Sequence, residues 1–273
     1  MSFLDTSPST ERASFGSEWD AWHARHESAR ADKHGFLAIT SLNFLNAEQV
    51  RFADAPGAWS TSERGPVVEL AAGESLVIDD IRIEGRHEFG VLPERSSIAA
   101  VAGDAVIEIA RRGGNDIVRP RHPESVVRTE YTGTPTYAPD AHWVVSAQFH
   151  AFDEPRPVTV GSVVEGLEHV YDSPGRLAFT LLGESLTLTA FNGHEPGSLL
   201  VLFTDATSGV TTYAANRSVA IDSPDDNGVT FIDFNRAVNL PCAYTEFATC
   251  PLPPAENRLG VAVEAGEKVP ASR

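Results

Sequence analysis

Short runs of β-branched and aromatic residues, each closed off by Gly, Pro, Asn or Asp, recur along most of this chain and constrain its fold more than any other feature. Pro66–Leu70, Ser75–Ile83, Ala105–Ala110, Ser125–Tyr131, Trp143–Phe149 and Pro157–Val164 all have this form. Such a run suits one face of a pleated sheet and is too short for a stable amphipathic helix. The rhythm predicts an all-β protein of antiparallel, sandwich- or barrel-like units. One N-terminal α-helix precedes them. Ser17 followed by Asp20 has the form of a capping box, Arg25, Arg30 and Lys33 collect toward the far end, and Gly35 supplies a C-cap. Trp19, Trp22, His26 and Ala29 recur at helical spacing and form the packing stripe.

Two hairpins are predicted. Gly183-Glu184 joins Leu177–Leu182 to Ser185–Phe191 through a type II′ turn, and Asn227-Gly228 joins Arg217–Ile221 to Val229–Asn235. The expected organisation is an arm and helix over 1–35, an N-terminal β-unit over 36–120 and a C-terminal β-unit over 121–273. The seam falls in Ala110–Pro123. A Pro-rich loop over 238–258 separates the strand ending near Asn235 from another at Leu259–Ala265; a loop of that length is either functional or a strap over a sheet edge.

The chain of 273 residues carries 21 Lys and Arg against 38 Asp and Glu, a formal net charge of −17. A field of that sign works against nucleic acid and anionic membrane surfaces as partners. No apolar run has the length of a signal segment or a membrane span, so a cytoplasmic location is expected. No G-x-S-x-G, Walker A, G-x-G-x-x-G or H-E-x-x-H motif occurs. Ser223–Phe234 has Asp225, Asn227 and Gly228 in calcium-loop register, but Ser and Phe at its ends favour a hairpin turn. No cofactor is expected, and no metal: the two cysteines and scattered histidines complete no ligand set. His23 and His26 lie close enough on the helix to share an ion, but sequence places no third ligand beside them. His150, on a face with His142 if the intervening strand is unbulged, is a further weak candidate.

Cys242 and Cys250 lie in the Pro-rich loop and are read as structural, either bridged or as buried thiols. The strongest polar constellation sits on two apolar strands. Alternation puts Phe231, Asp233 and Asn235 on one face of Val229–Asn235, and Val201, Phe203 and Asp205 together on Leu199–Asp205. Thr207, Tyr213, Arg217 and Arg236 follow closely. These residues are the candidate ligand-binding set, with Asp233 and Asp205 as catalytic candidates and Arg217 as the expected partner of Asp233. Close carboxylates with an arginine bind a polar ligand, do acid–base work, or form an internal ion-pair network.

Asp233-Phe-Asn-Arg-Ala-Val-Asn239, Pro241-Cys-Ala-Tyr244, Ala248-Thr-Cys-Pro-Leu-Pro-Pro254, Glu256-Asn257 and Glu264-Ala-Gly-Glu-Lys268 together resemble the C-terminal signature of the domain of unknown function 1684 family. Phe203–Gly209, Thr212-Tyr213, Arg217 and Gly35–Leu45 fit the same resemblance. It implies no established activity. The leading expectation is therefore a small-molecule-binding β-domain. The alternatives are a metal-independent hydrolase using the same carboxylates and arginine, and a module that recognises a peptide at a sheet edge.

Overall fold

A computed structural model of the chain describes residues 8–271. Antiparallel strands dominate it, with one long helix, α1 (Pro8–Arg30), ahead of them. The helix begins well before Ser17. That serine lies inside it, its hydroxyl donating to the Ser14 carbonyl, while Ser14 Oγ donates to Glu18. Residues 8–28 group with 133–243 and 250–271; Ala29–Thr132 and Tyr244–Thr249 form the other compact unit.

The unit around Ala29–Thr132 contains β1 (Asn43–Phe44), β2 (Val50–Arg51), β3 (Ala58–Ser62), β4 (Gly65–Glu69), β5 (Leu76–Ile78), β6 (Ile81–Ile83), β7 (Arg86–Glu88), β8 (Ser97–Ala102), β9 (Ala105–Arg112) and β10 (Asn115–Arg121). One sheet runs β1-β10-β9-β8-β5-β6 and another β2-β3-β4-β7. Trp59, Val68, Leu76, Ile107, Ile109 and Val118 form their shared core. The expected seam at Ala110–Pro123 is instead the β9–β10 hairpin, and the chain leaves this unit at Thr132. Ser75–Ile83 is two strands, because Asp79 and Asp80 both adopt positive φ, which a short side chain able to bond locally tolerates. Ser125–Tyr131 is not a strand either. The Ser125 carbonyl accepts from Arg128 and Thr129, closing the short helix α2 (Val126–Thr129), and exposed Val126 has no face to bury.

The other unit contains β11 (Val144–Gly161), β12 (Glu168–Leu181), β13 (Glu184–Asn192), β14 (Leu199–Phe203), β15 (Arg217–Ile221), β16 (Val229–Asp233) and β17 (Val238–Asn239), in the order β16-β11-β12-β13-β14-β15-β17. The sheet does not close into a barrel. Trp143–Phe149 and Pro157–Val164 merge into β11, whose pairing with β12 shifts register between Ala151 and Arg156. The β12–β13 turn is Leu182-Gly183, both at positive φ, one residue earlier than expected and of the I′ kind. Asn227-Gly228 does form a turn, closed by Asp225, but β15 pairs with β14 and β17 while β16 pairs with β11. Arg217 is therefore not on the strand beside Asp233.

Where β13 and β14 diverge beyond two paired positions, Asn257 fills the gap: its side-chain carbonyl accepts from Thr189 N and its amide donates to the carbonyls of Thr189 and Leu202. Leu259–Ala265 is extended and alternately buried, yet it is not a strand. Its inward side chains, Leu259, Val261, Val263 and Ala265, join the core of Phe203, Phe234, Leu177 and Val219.

Glu108, on β9, is buried among three arginines that the strand pattern did not flag. Its carboxylate accepts from Arg119 at 2.7 and 3.2 Å, Arg121 at 2.5 Å and Arg112 at 3.1 Å. Burial alone would raise its pKa, but the charges and hydrogen bonds of Arg119 and Arg121 outweigh that and hold it at about 2, from an ordinary 4.5. The sign follows: a depressed carboxyl contributes stability that is fully present above its unfolded value and is lost as pH falls through the folded one. The difference is worth about 3 kcal/mol. Wild-type stability from urea unfolding should therefore fall between roughly pH 4.5 and 2 more steeply than that of Glu108→Gln, which at pH 7 should already be lower by about 3 kcal/mol. Superimposable acid limbs would refute the assignment.

Candidate functional site

The residues expected to form one site occupy two different places. The first centre is Asp205 and Arg217, which alternation on β14 and β15 turns into the core. They form an ion pair of 2.8 Å with side chains 0% and 1% exposed. Asp205 Oδ1 accepts from Thr207 N, Thr207 Oγ1 and, at 3.3 Å, Val263 N; Thr207 in turn bonds Thr212 Oγ1. Arg217 donates to the carbonyls of Val263, Ala265 and Glu267, and its guanidinium lies 5.3 Å from the centre of the Phe203 ring. Burial pulls the Arg217 pKa down and Asp205 opposes it; arginine remains charged through shifts of that kind. Tyr213 donates to the Cys242 carbonyl at 2.8 Å. This is the internal network: the Asp205 carboxylate and both terminal nitrogens of Arg217 bond groups of the chain itself.

The second centre is the end of β16. Asp233 does not point inward. Ile232 and Phe234 are buried while Phe231 is 61% exposed, and the 3₁₀ turn Phe234–Arg236 breaks the alternation before Asn235. Asp233 caps that turn by accepting from Asn235 N, and it pairs with Arg236 at 3.2 Å rather than with Arg217. Asn235 becomes buried through the turn. Its side chain bonds both backbone groups of Asp140, and its own carbonyl accepts from Trp19 Nε1 at 2.9 Å. The Trp stripe of α1 is thereby fixed to the β16 end.

Cys242 and Cys250 are buried and not joined by a disulfide; the Cys242 N–H donates to Cys250 Sγ at 3.3 Å. His142 and His150 are exposed, and His142 lies in a 3₁₀ turn rather than on the strand.

Two concavities can be compared with these centres. One, of about 560 Å³, is a wide hollow on the β11–β12 face lined by Val145, Gln148, Phe179, Thr180 and Val229 among others. The other, of about 400 Å³, lies in the unit around Ala29–Thr132 and is lined by Ile39, Thr40, Asp54, His122, Val126 and Phe247 among others. None of the predicted ligand residues lines either. In the second, Asp54 Oδ2 accepts from Thr40 Oγ1 at 2.5 Å and Ser41 Oγ at 2.8 Å. His122 Nδ1 accepts from Glu124 N, and the Ser125 hydroxyl donates to the Leu37 carbonyl. Phe247 reaches this cleft from the middle of the Pro-rich segment, where Tyr244 also packs against Phe36, Tyr131 and the Arg30 guanidinium. Strand periodicity could not find these residues, because the lining comes from loops and short turns.

The model of the family described as Protein of unknown function (DUF1684) matches residues 129–268, about half of the chain. The chain belongs to the DUF1684 family. The signature residues of this DUF1684 protein fall largely on backbone-binding roles: Asn235, Asn239 and Asn257 each hydrogen-bond main-chain groups. A solution NMR structure of an uncharacterized protein from Haloarcula marismortui is 33% identical, over 54% of this chain and 80% of that one, with a TM-score of 0.44. No curated protein matches. Among the described residues no helix is long and apolar enough to cross a membrane.

Because Asp205 and Arg217 form a fully desolvated pair, removing one partner strands the other. Arg217→Met and Asp205→Asn should each lower stability by about 3–5 kcal/mol, with the double variant recovering part of the loss. Asp233→Asn, at a partly exposed cap and pair, should cost about 1 kcal/mol or less. Thermal melting of the four variants checks both statements; an Asp233 loss equal to that of Asp205 would refute them.

Proposed function

We propose that this protein binds a small amphipathic molecule, one with an apolar body and a positively charged, hydrogen-bond-donating end, in the cleft that contains Asp54. The observation that carries this reading is the Asp54 carboxylate, held through Oδ2 by two hydroxyls at the wall of a cleft whose apolar lining is Ile39, Val126, Val127 and Phe247 and whose other polar lining is Thr40, His122, Glu124 and Ser125. A cleft of about 400 Å³ is the size that encloses a small ligand, and a few fixed polar groups among apolar walls are what orient one. Asp54 Oδ1 is the atom assigned to the ligand. The −17 net charge adds a long-range preference for cations.

Binding is favoured over hydrolysis on the same residues. A serine nucleophile needs its hydroxyl bonded to a base, and here Ser125 Oγ donates to Leu37 O while His122 Nδ1 is taken by the Glu124 N–H. Asp205 and Arg217, the carboxylate and arginine that could serve as base and clamp, are sealed in the core.

A panel of alkylamines and arylalkylamines, each with its matched alcohol, tests the reading by thermal shift and calorimetry on the full chain. Amines should raise the melting temperature and alcohols should not, and Asp54→Asn should weaken amine binding at least about tenfold, a loss of about 1.4 kcal/mol. Equal binding of amines and alcohols, or unchanged affinity in Asp54→Asn, would overturn it.

A further inference from the structure

We propose a divalent-metal site in the unit that contains α1, built by His23 and Glu27 of the helix and Glu267 of the C-terminal strip. His23 and His26 lie close enough on the helix to share an ion, and what sequence does not place beside them is a third group. The fold supplies it from the far end of the chain. One ligand atom from each of His23, Glu27 and Glu267 lies within 4.8 Å of the other two.

Each of the three side chains is oriented by a contact that uses a different part of it. His23 and Glu27 are one helical turn apart and share a face of α1, with His23 Nε2 3.9 Å from Glu27 Oε1. The His23 ring stacks on Trp19 at 4.7 Å and 9°, and Trp19 is itself tied to Asn235 O. Nε2 of His23 is a buried atom with no hydrogen-bond partner. Glu27 Oε2 accepts from Thr134 N at 3.2 Å, so Oε1 is the oxygen turned to His23. Glu267 Oε2 accepts from Asn239 N at 2.7 Å, while Oε1 lies 3.8 Å from His26 Nε2.

Glu267 owes this position to the residue before it. Gly266 has φ +73, and a Cβ there would come within 2.4 Å of Ala237 O, so only glycine allows the strip to pass so close. The outward groups on metal ligands that fix their orientation are a regular part of working sites. Here Glu27 and Glu267 have such hydrogen bonds, and the His23 ring is held by its stacking on Trp19.

The spacing suits an ion. Donors on one tetrahedral zinc ion stand about 3.4 Å apart, given bonds of about 2.1 Å. Closing from the present separations takes side-chain movements of about an ångström, within reach of glutamate's soft terminal torsion. The Glu267 side chain is 2% exposed and those of Glu27 and His23 are 18% and 21%, so an ion there would be largely screened from water. One imidazole and two carboxylates form a borderline donor set, which points to Zn²⁺ or a neighbouring first-row ion. His26 stands beside Glu267 as the nearest further imidazole.

The test uses the full chain, stripped with chelator and titrated with Zn²⁺ alone by calorimetry, with Co²⁺ as a coloured substitute. One equivalent should bind, Zn²⁺ should raise the melting temperature, and Co²⁺ should give the intense visible bands of a low-coordinate site. His23→Gln and Glu27→Gln, checked for an unchanged fold by circular dichroism, should each weaken Zn²⁺ binding at least about tenfold. His142→Gln, on an exposed histidine, should leave it unchanged. The proposal is overturned if no stoichiometric binding occurs, if the two site variants bind as wild type does, or if His142→Gln removes the binding.

Discussion

One buried guanidinium organises the C-terminal half of this protein. Arg217 leaves β15 for the core, meets Asp205 just beyond β14, and donates from its two terminal nitrogens to three carbonyls of the segment that follows Leu259. An extended segment buried on a sheet ordinarily needs a neighbouring strand to satisfy its backbone. This one takes its first bonds from Thr204 and Ala206, just beyond β14, which pair with Asn257 O, Leu259 N and Val261 O, and takes the rest from a side chain. Beyond Val261 the carbonyls of Val263 and Ala265 are taken by Arg217, so a stretch with Leu259, Val261, Val263 and Ala265 all inward needs no continuous ladder. Asp205 makes the arrangement affordable by neutralising the charge and accepting from Val263 N as well.

Much of the fold was legible in the sequence, for a local reason. Strands end where glycine, proline or asparagine force the chain to turn, and those residues are read directly. The Leu177–Phe191 hairpin was found that way, although its turn sits one residue earlier because Leu182 also takes positive φ. What local pattern could not supply was the partner of each strand. Asn227-Gly228 turns the chain as expected, yet it connects strands that pair elsewhere, and the choice of Arg217 as partner for Asp233 fell with it. Alternation likewise placed Asp233 and Asn235 on one inward face; a 3₁₀ turn of three residues sends Asn235 into the interior and leaves Asp233 at the rim.

The polar residues that mark this family read here as architecture. Asn257 replaces missing ladder bonds between β13 and β14, Asn235 holds Asp140 and receives Trp19, and Asn239 donates to the Lys268 carbonyl. An amide side chain both donates and accepts, so it can stand in for a peptide group wherever two segments run together without forming a sheet. Sequence offers no way to tell such an asparagine from one that faces a ligand. Glu108 is illegible for the opposite reason: no sequence motif surrounds it, and its significance comes from Arg119 and Arg121, brought close by the pairing of β9 with β10.

The reliance of β14 and β15 on the segment after Leu259 has a consequence for how the protein is made. Hairpins such as β12–β13 close small loops and can form as soon as both strands exist. The Asp205–Arg217 pair cannot be completed then, because its carbonyl acceptors lie some fifty residues further on. Until that length has been synthesised, the emerging chain carries a charged pair without its acceptors and a sheet face, Val201, Phe203 and Val219 among it, still lacking the cover it has in the finished core. An incomplete nascent chain of this kind exposes the surfaces that chaperones bind and that aggregation exploits. Maturation of the sheet that holds Arg217 is thus timed by the emergence of the segment from Leu259 to Glu267.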